Sequence, residues 1–142
     1  TGLEHVLEFV REVDGVRYVN DSKATNIDAA GRAIESFDEV VVLVGGKYKG
    51  GNFADLIGPL TNRGRGVVAI GEARPLVREA LGAAVPLVEA GSMAEAVARA
   101  REMARPGSVV LLAPACSSFD MFPDYAARGR AFKEVVGQLR ER

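Results

Sequence analysis

The sequence has no tryptophan, one histidine and one cysteine among its 142 residues. The single cysteine, Cys116, excludes an internal disulfide and is typical of proteins of the reducing cytosol. Because His5 is the only histidine, the sequence has no Cys/His cluster of the kind that binds zinc, and we expect no metal site. No apolar run approaches the roughly 20 residues that cross a bilayer, and no secretory signal is visible at the start. These absences predict a cytoplasmic protein without a membrane partner.

Neither sign of charge dominates the sequence. Lys and Arg together number 18, and Asp and Glu number 19, which gives a formal net charge of −1. Such a balance carries no broad electrostatic footprint for nucleic acid, so we expect no nucleic-acid partner. With 48% hydrophobic and 26% charged residues, the composition is that of one globular domain with a substantial core.

Apolar runs alternate with segments of helical spacing along the whole chain. The predicted strands are 7–13, 16–19, 40–44, 67–70, 85–88 and 109–112, and the predicted helices are 27–37, 53–60, 76–81, 93–104 and 132–139. The dipeptide Asp14-Gly15 between the first two strands is a signal for a type I′ hairpin. The alternation predicts an α/β, Rossmann-like single domain with a mainly parallel sheet of about six strands, helices on both faces and one antiparallel edge strand from the N-terminal hairpin.

The segment 20–26, N-D-S-K-A-T-N, lies where the second predicted strand ends and the first predicted helix begins. A helix N-terminus presents unpaired N–H groups and the positive end of the helix dipole, both of which attract anions. Lys23 adds a charge suited to phosphate or carboxylate. The alternative is that Thr25 or Asn26 only caps the helix, with Asp28 completing a capping box. Capping does not account for Lys23, and the segment therefore indicates a ligand site.

Polar or glycine-rich loops also follow three other predicted strands, at 45–52, 71–74 and 113–120. Because parallel strands place their carboxyl ends at one edge of a sheet, we expect a shared pocket with two or three cations and several hydroxyls. Lys47 and Lys49 have an alternative interpretation as solvated loop charges.

Two phosphate-binding motifs are imitated but incomplete. The loop 45–51 lacks the Lys and Ser or Thr that a P-loop requires after its second glycine, and 64–69 precedes a strand instead of following one. Cys116 has no G-x-S-x-G elbow around it and no histidine nearby in sequence, so we interpret it as a small packing residue.

Three strings of the sequence match a known family. They are N-D-S-K-A-T-N at 20–26, the loop Gly45-Gly46-x-x-Lys49, and P-A-C-S-S-F-D at 114–120. Together they resemble the C-terminal domain of the Mur ligases, and within that family the branch that adds D-glutamate. The resemblance runs over the whole chain in order. The D-N-P-R string expected of the diaminopimelate-adding branch is absent, and folylpolyglutamate synthases share the fold but are less similar at these loops.

The resemblance implies that residues 1–142 form the third, amino-acid-binding domain of a three-domain, monomeric, cytoplasmic ligase of peptidoglycan synthesis. Enzymes of the family use ATP and Mg²⁺, which bind mainly to the central domain, to activate the carboxylate of UDP-N-acetylmuramoyl-L-alanine as an acyl phosphate. The amine of D-glutamate then attacks that acyl phosphate. The third domain alone is therefore expected to be inactive.

The resemblance also implies roles for residues near the nucleotide. Asp21 would contact the ribose, and Lys23 would act catalytically at the junction of nucleotide and substrates. Val6 follows His5 where the family usually has an arginine that contacts the ATP phosphates. The terminal phosphate then needs another cation, or ATP affinity is reduced.

For D-glutamate, the resemblance implies that Thr25 and Lys49 hold the α-carboxylate. Ser118 and the backbone of Phe119 would hold the side-chain carboxylate. Tyr125 would take the place of a phenylalanine that borders the amino acid. A different hypothesis is a stand-alone anion- or nucleotide-binding module of Rossmann-like type, or a domain of a related Mur or folylpolyglutamate ligase.

Overall fold

The computed structural model of the chain describes residues 3–118 and 120–142. The strands are β1 (Glu8–Val13), β2 (Val16–Asn20), β3 (Val40–Gly45), β4 (Gly64–Ile70), β5 (Leu87–Ala90) and β6 (Val109–Ala115). The α-helices are α1 (Ile27–Glu35), α2 (Ile57–Leu60), α3 (Arg74–Leu81), α4 (Met93–Met103) and α5 (Tyr125–Gly137), and a 3₁₀ turn at Phe53–Leu56 precedes α2. None of the described helices is both long enough and apolar enough to span a membrane.

The six strands form one sheet in the order β1-β2-β6-β3-β4-β5. The β1–β2 pair is antiparallel, and all other neighbouring strands run parallel. Asp14 and Gly15 adopt φ of 54° and 78°, as the type I′ turn between β1 and β2 requires. The predicted fold, with its antiparallel edge strand, is confirmed.

Helices cover both faces of the sheet, and the strand residues alternate between the two resulting cores. In β3, Val40, Val42 and Val44 face the layer that contains α1 and α3, while Val41 and Leu43 face the layer that contains α4 and α5. This period of two explains why β3 consists wholly of apolar residues, because both of its faces are buried.

The segment 53–60 is not the single helix that its apolar spacing predicts. The side chain of Asn52 accepts a hydrogen bond from the N–H of Ala54, which starts the 3₁₀ turn. Pro59 has no N–H to donate to the carbonyl of Asp55, so an uninterrupted α-helix cannot run through the segment. A four-residue helix, α2, follows the 3₁₀ turn instead.

Helix α1 begins with one of the two caps predicted above, Thr25 or Asn26. Asn26 is the cap, and its side-chain oxygen accepts from the N–H of Ala29 at 2.8 Å. Asp28 lies one position too early for a capping box and instead pairs with Arg32 one turn along the exposed face. The predicted capping box is therefore wrong, and Thr25 is left free of a capping role.

Candidate functional site

Three loops meet where the adjacent strands β2, β6 and β3 end. We call them the three-loop rim; their described residues are 21–26, 116–118 with 120–124, and 46–52. The N–H of Ala115 donates to the carbonyl of Ala24 at 2.9 Å, which joins the ends of β2 and β6. Lys47 and Ser117 exchange main-chain hydrogen bonds, which join the ends of β3 and β6. The expectation that these polar loops share one edge of the sheet is confirmed.

The predicted carboxylate-binding residues are distributed over this three-loop rim. Lys23 and Lys49 are exposed, and among residues 3–118 and 120–142 neither forms an ion pair. Thr25 is half-buried beside Lys23, and its N–H donates to the Lys23 carbonyl at 2.8 Å. Ser118 is buried at the end of the bridged segment. The rim therefore carries two exposed cations and two hydroxyl residues, and the loops after β2 and β3 are each hydrogen-bonded to the end of β6.

Arg128, on α5, lies beneath the three-loop rim, and only 1% of the residue is exposed. Its Nε donates to Ser22 Oγ at 3.0 Å, its Nη2 to the Ser22 carbonyl at 2.9 Å and its Nη1 to the Cys116 carbonyl at 3.0 Å. Burial lowers the pKa of Arg128 to about 10. Within the described part of the chain it has no ion-pair partner. The sequence analysis missed this residue, because it follows the loop motif by several positions and no spacing marks it.

His5 is the second residue that sequence reasoning missed as part of this region. It is buried, and its Nδ1 accepts from Asn20 Nδ2 at 2.8 Å. The same Asn20 nitrogen donates to Glu8 Oε1 at 2.9 Å. The His5 carbonyl accepts from the N–H of Lys23 at 3.2 Å. The N-terminal segment is thus attached to the turn that carries Lys23.

Asp21 lies at the base of a separate cleft beside that segment. The cleft has a volume of about 450 Å³ and is lined by Leu3, Val6, Leu7, Asp21, Lys23, Ala24, Ala29, Arg32, Ala33 and Ser36. Desolvation by burial raises the pKa of Asp21, although its Oδ1 accepts a 3.3 Å hydrogen bond from the N–H of Leu7. One buried carboxylate, two cations and apolar walls are suited to the hydroxyl, phosphate and apolar parts of a nucleotide.

Of the two aromatic residues predicted at the site, Tyr125 lies within the described residues and Phe119 does not. Tyr125 is the first residue of α5, with its ring edge-on to that of His5 at a centroid distance of 6.0 Å. Its carbonyl accepts from Ser22 Oγ at 2.7 Å, so Tyr125 lies on the β2 side of the rim. Phe119, predicted to bind through its backbone, lies outside the described residues.

The fourth predicted loop, 71–74, joins the site through Asp120. Asp120 Oδ2 accepts from the N–H of Glu72 at 2.7 Å. Cys116 is buried between these loops, and burial raises the pKa of its thiol to about 12. A thiol that stays protonated near neutral pH is a poor nucleophile, which agrees with the interpretation of Cys116 as a packing residue.

Comparison with known proteins identifies related sequences over nearly the whole chain. Residues 7–116 match the family profile described as Mur ligase, glutamate ligase domain. The UDP-N-acetylmuramoylalanine–D-glutamate ligase of Pseudomonas fluorescens is 48% identical over 143 residues, which cover 97% of this chain and 32% of the relative. The enzyme of the same name from Desulfosudis oleivorans is 50% identical over 141 residues, which cover 99% of this chain and 31% of the relative. The chain thus spans about a third of the length of these relatives.

Solved structures show the same fold. A bifunctional folylpolyglutamate synthase/dihydrofolate synthase from Yersinia pestis superposes with a TM-score of 0.64 at 15% identity, over 95% of this chain and 32% of that one. A structure of that enzyme complexed with AMPPNP and a Mn ion gives a TM-score of 0.60 at 19% identity, over 89% of this chain and 30% of that one. At such low identity the likeness establishes the fold alone.

Proposed function

The chain belongs to the Mur ligase family, as its glutamate ligase domain, and from that premise we propose that it is the third domain of a cytoplasmic ligase that adds D-glutamate to UDP-N-acetylmuramoyl-L-alanine. Relatives of that name that match nearly the whole chain support this choice within the family. The three-loop rim supplies the physical basis, and it is the observation that carries the proposal.

The three-loop rim is suited to a small dicarboxylic amino acid. Lys49 and Thr25, from loops that are each hydrogen-bonded to the end of β6, hold the α-carboxylate through a charged and a neutral hydrogen bond. Ser118 and the backbone after it hold the side-chain carboxylate, and Tyr125 borders the amino acid from the β2 side. Lys23 and Lys49 support this assignment, because no carboxylate among the described residues pairs with either of them and a dianion that binds there displaces none.

The cleft beside Asp21 takes part of the nucleotide. The buried Asp21 carboxylate accepts from a ribose hydroxyl, and the Lys23 ammonium lies where nucleotide and amino acid meet. Arg32, which pairs with Asp28 on the exposed surface, lines the same cleft and supplies a cation, whereas Val6 in that lining supplies none. This arrangement supports ATP as the nucleotide, with most of its contacts made by the rest of the protein.

Mg²⁺ would neutralise the ATP phosphates during the reaction. Across residues 3–118 and 120–142, no three His, Cys, Asp or Glu residues lie close enough to hold a metal ion. We therefore assign the metal ligands to the part of the protein outside this chain.

In the mechanism we propose, this domain orients D-glutamate and stabilises the charge that develops on the leaving group. Lys49, Thr25 and Ser118 fix both carboxylates of D-glutamate, which leaves its amine aimed at the activated carbonyl of the muramoyl-alanine substrate. Lys23, one loop away, stabilises negative charge that develops on the phosphate leaving group. Neither role includes ATP activation, so the 142-residue chain alone should release no ADP.

The test is an assay of the protein encoded by the complete reading frame that contains this sequence. We expect phosphate release that requires ATP, UDP-N-acetylmuramoyl-L-alanine and D-glutamate together, and that L-glutamate does not support. The reading frame should also encode a G-x-x-x-x-G-K-[ST] loop before Thr1. A protein that binds nucleotide without turnover, from a frame without that loop, would instead be a stand-alone binding module. Turnover by the 142-residue chain alone would also contradict the proposal.

A further inference from the structure

The geometry points to Arg128 as a positioning residue that preforms the D-glutamate site by locking two loops of the three-loop rim together. This inference rests on the function proposed above. Arg128 itself does not face the ligand, because its guanidinium is buried beneath the loops. Its influence passes through the main chain on either side.

The guanidinium joins segments far apart in sequence. Two of its hydrogen bonds go to Ser22 and one to the carbonyl of Cys116. Ser22 directly precedes Lys23, and Cys116 lies two residues before Ser118. Because a planar guanidinium fixes the directions of its donors, the three bonds define the relative position of both loops.

The third loop packs against the same group. Gly46 adopts a φ of 129°, and a Cβ built there would lie 3.3 Å from Arg128 Nη1 and 2.3 Å from the Ser117 carbonyl oxygen. The guanidinium therefore lies against the Gly46 backbone as well. One side chain contacts all three loops of the rim.

The position of Arg128 on α5 makes a charge there costly. The buried residues of this helix are Arg128, Gly129, Phe132 and Val136. An arginine thus stands where an apolar side chain would continue the stripe, and a buried charge carries a large desolvation cost. Among the described residues no carboxylate pairs with Arg128 to offset that cost. Stability alone therefore does not explain Arg128, whereas the loop geometry that it imposes does.

The hydroxyl of Ser22 links Arg128 to the start of α5. Its hydroxyl accepts from Arg128 Nε and donates to the Tyr125 carbonyl at 2.7 Å. The start of α5 is thereby attached to the same turn. Loss of the Ser22 hydroxyl should loosen the site in the same direction as loss of the guanidinium, but less, since two of the three Arg128 bonds remain.

The experiment measures the steady-state kinetics of Arg128→Met and Arg128→Lys in the protein of the complete reading frame. We expect the D-glutamate KM to rise about 10- to 100-fold in Arg128→Met, the range for lost charged hydrogen bonds, with the ATP KM changed much less. Arg128→Lys should fall between Arg128→Met and the parent, because an ammonium cannot reach both loops in the same geometry. Arg130→Met, at an exposed position two residues along α5, is the matched control and should leave all constants unchanged.

Chemical rescue separates positioning from a general effect on folding. Guanidinium ion added at low millimolar concentration to Arg128→Ala should lower the D-glutamate KM toward the parent value and leave Arg130→Ala unaffected. If Arg128→Met does not fold, Ser22→Ala replaces it, with a smaller rise in the D-glutamate KM as the expected result. An unchanged D-glutamate KM in the folded Arg128 or Ser22 variants overturns the inference. If Lys49→Ala also leaves that KM unchanged, the proposed function fails rather than the role of Arg128 alone.

Discussion

Lys47 and Ser117 pair as neighbours in an antiparallel bridge, although the strands that precede them, β3 and β6, run parallel. The Lys47 N–H donates to the Ser117 carbonyl at 3.0 Å, and the Ser117 N–H donates to the Lys47 carbonyl at 3.2 Å. The chain must therefore reverse its direction after at least one of the two strands. This bridge holds Lys49 and Ser118, two residues and one residue further on, at the same edge of the sheet.

The bridge depends on glycine at position 46. In a Gly46→Ala variant, the added Cβ would lie 2.3 Å from the Ser117 carbonyl oxygen, at a φ of 129° that disfavours any side chain. We expect the free energy of unfolding to fall by about 2 kcal/mol or more, from backbone strain and the lost bridge. Chemical denaturation followed by circular dichroism measures this change.

Gly58→Ala is the matched control for that variant. Gly58 lies in α2, and nothing is within 4 Å of a Cβ built there. Alanine should change stability by less than about 1 kcal/mol, because its higher helix propensity is offset by the restriction that Pro59 places on a non-glycine residue before it. Equal losses in the Gly46 and Gly58 variants would show that the bridge has no special importance.

Lys49→Ala tests the assignment of the amino-acid site in the complete protein. Loss of a charged hydrogen bond to a carboxylate costs about 1.5–3 kcal/mol, so we expect the D-glutamate KM to rise about 10- to 150-fold. The ATP KM should change little, because the nucleotide cleft does not include Lys49. Lys47→Ala, at an equally exposed lysine of the same loop, should have a much smaller effect. A similar rise in both KM values for Lys49→Ala would contradict the assignment.

Asp21→Asn tests the buried carboxylate by pH dependence. Because desolvation raises the pKa of Asp21 in the folded protein, its ionised form costs stability at neutral pH. The amide removes that cost and still accepts from the N–H of Leu7. We therefore expect a higher Tm for Asp21→Asn at pH 7, and a difference that shrinks as the pH falls through the folded-state pKa. A difference that grows toward acid pH, measured by thermal melts, would show the opposite electrostatics.

The same variant should separate nucleotide binding from amino-acid binding. An amide makes a weaker hydrogen bond to a ribose hydroxyl than a carboxylate does, so the ATP KM should rise severalfold. The D-glutamate KM should stay near the parent value, since Asp21 lies in the separate cleft. A change confined to the D-glutamate KM would exclude a ribose contact.

Glu39→Gln tests a carboxylate at the opposite edge of the sheet from Asp21. The pKa of Glu39 is lowered where that of Asp21 is raised, so the effect of pH on stability has the opposite sign. Hydrogen bonds from Arg105 and from Ser108 Oγ lower the pKa of Glu39 from 4.5 to about 2. A lowered folded-state pKa gives a stabilisation that is present above about pH 4.5 and is lost as the pH falls toward 2. Glu39→Gln should therefore be less stable than the parent at pH 7 and should lose less stability on acidification. Parallel stability curves from pH 7 to pH 2 would contradict this.

Local patterns in the sequence were sufficient for most of the fold. The alternation of apolar runs predicted all six strands, and Asp14-Gly15 predicted the hairpin that makes β1 the antiparallel edge. These signals are short-range, because strand burial and turn conformation depend on neighbouring residues. The helix predicted at 53–60 is present in extent, but its first half is a 3₁₀ turn and only Ile57–Leu60 is α-helical. Contiguous motifs likewise predicted that the loops of Lys23, Lys49 and Ser118 lie at one edge of the sheet.

The arrangement beneath those loops was decided by the tertiary structure alone. Arg128 and Ser22 are 106 positions apart, and His5 and Asn20 are 15 apart, so no motif or spacing relates them. Arg128 meets Ser22 because α5 packs against β2, and His5 meets Asn20 because β1 pairs with β2. From the sequence alone, Arg128 would be interpreted as an exposed residue of α5, because arginine is usually exposed. Only the packing of the helix shows that its charge is buried, since desolvation and hydrogen-bond satisfaction depend on groups that the chain brings together from a distance.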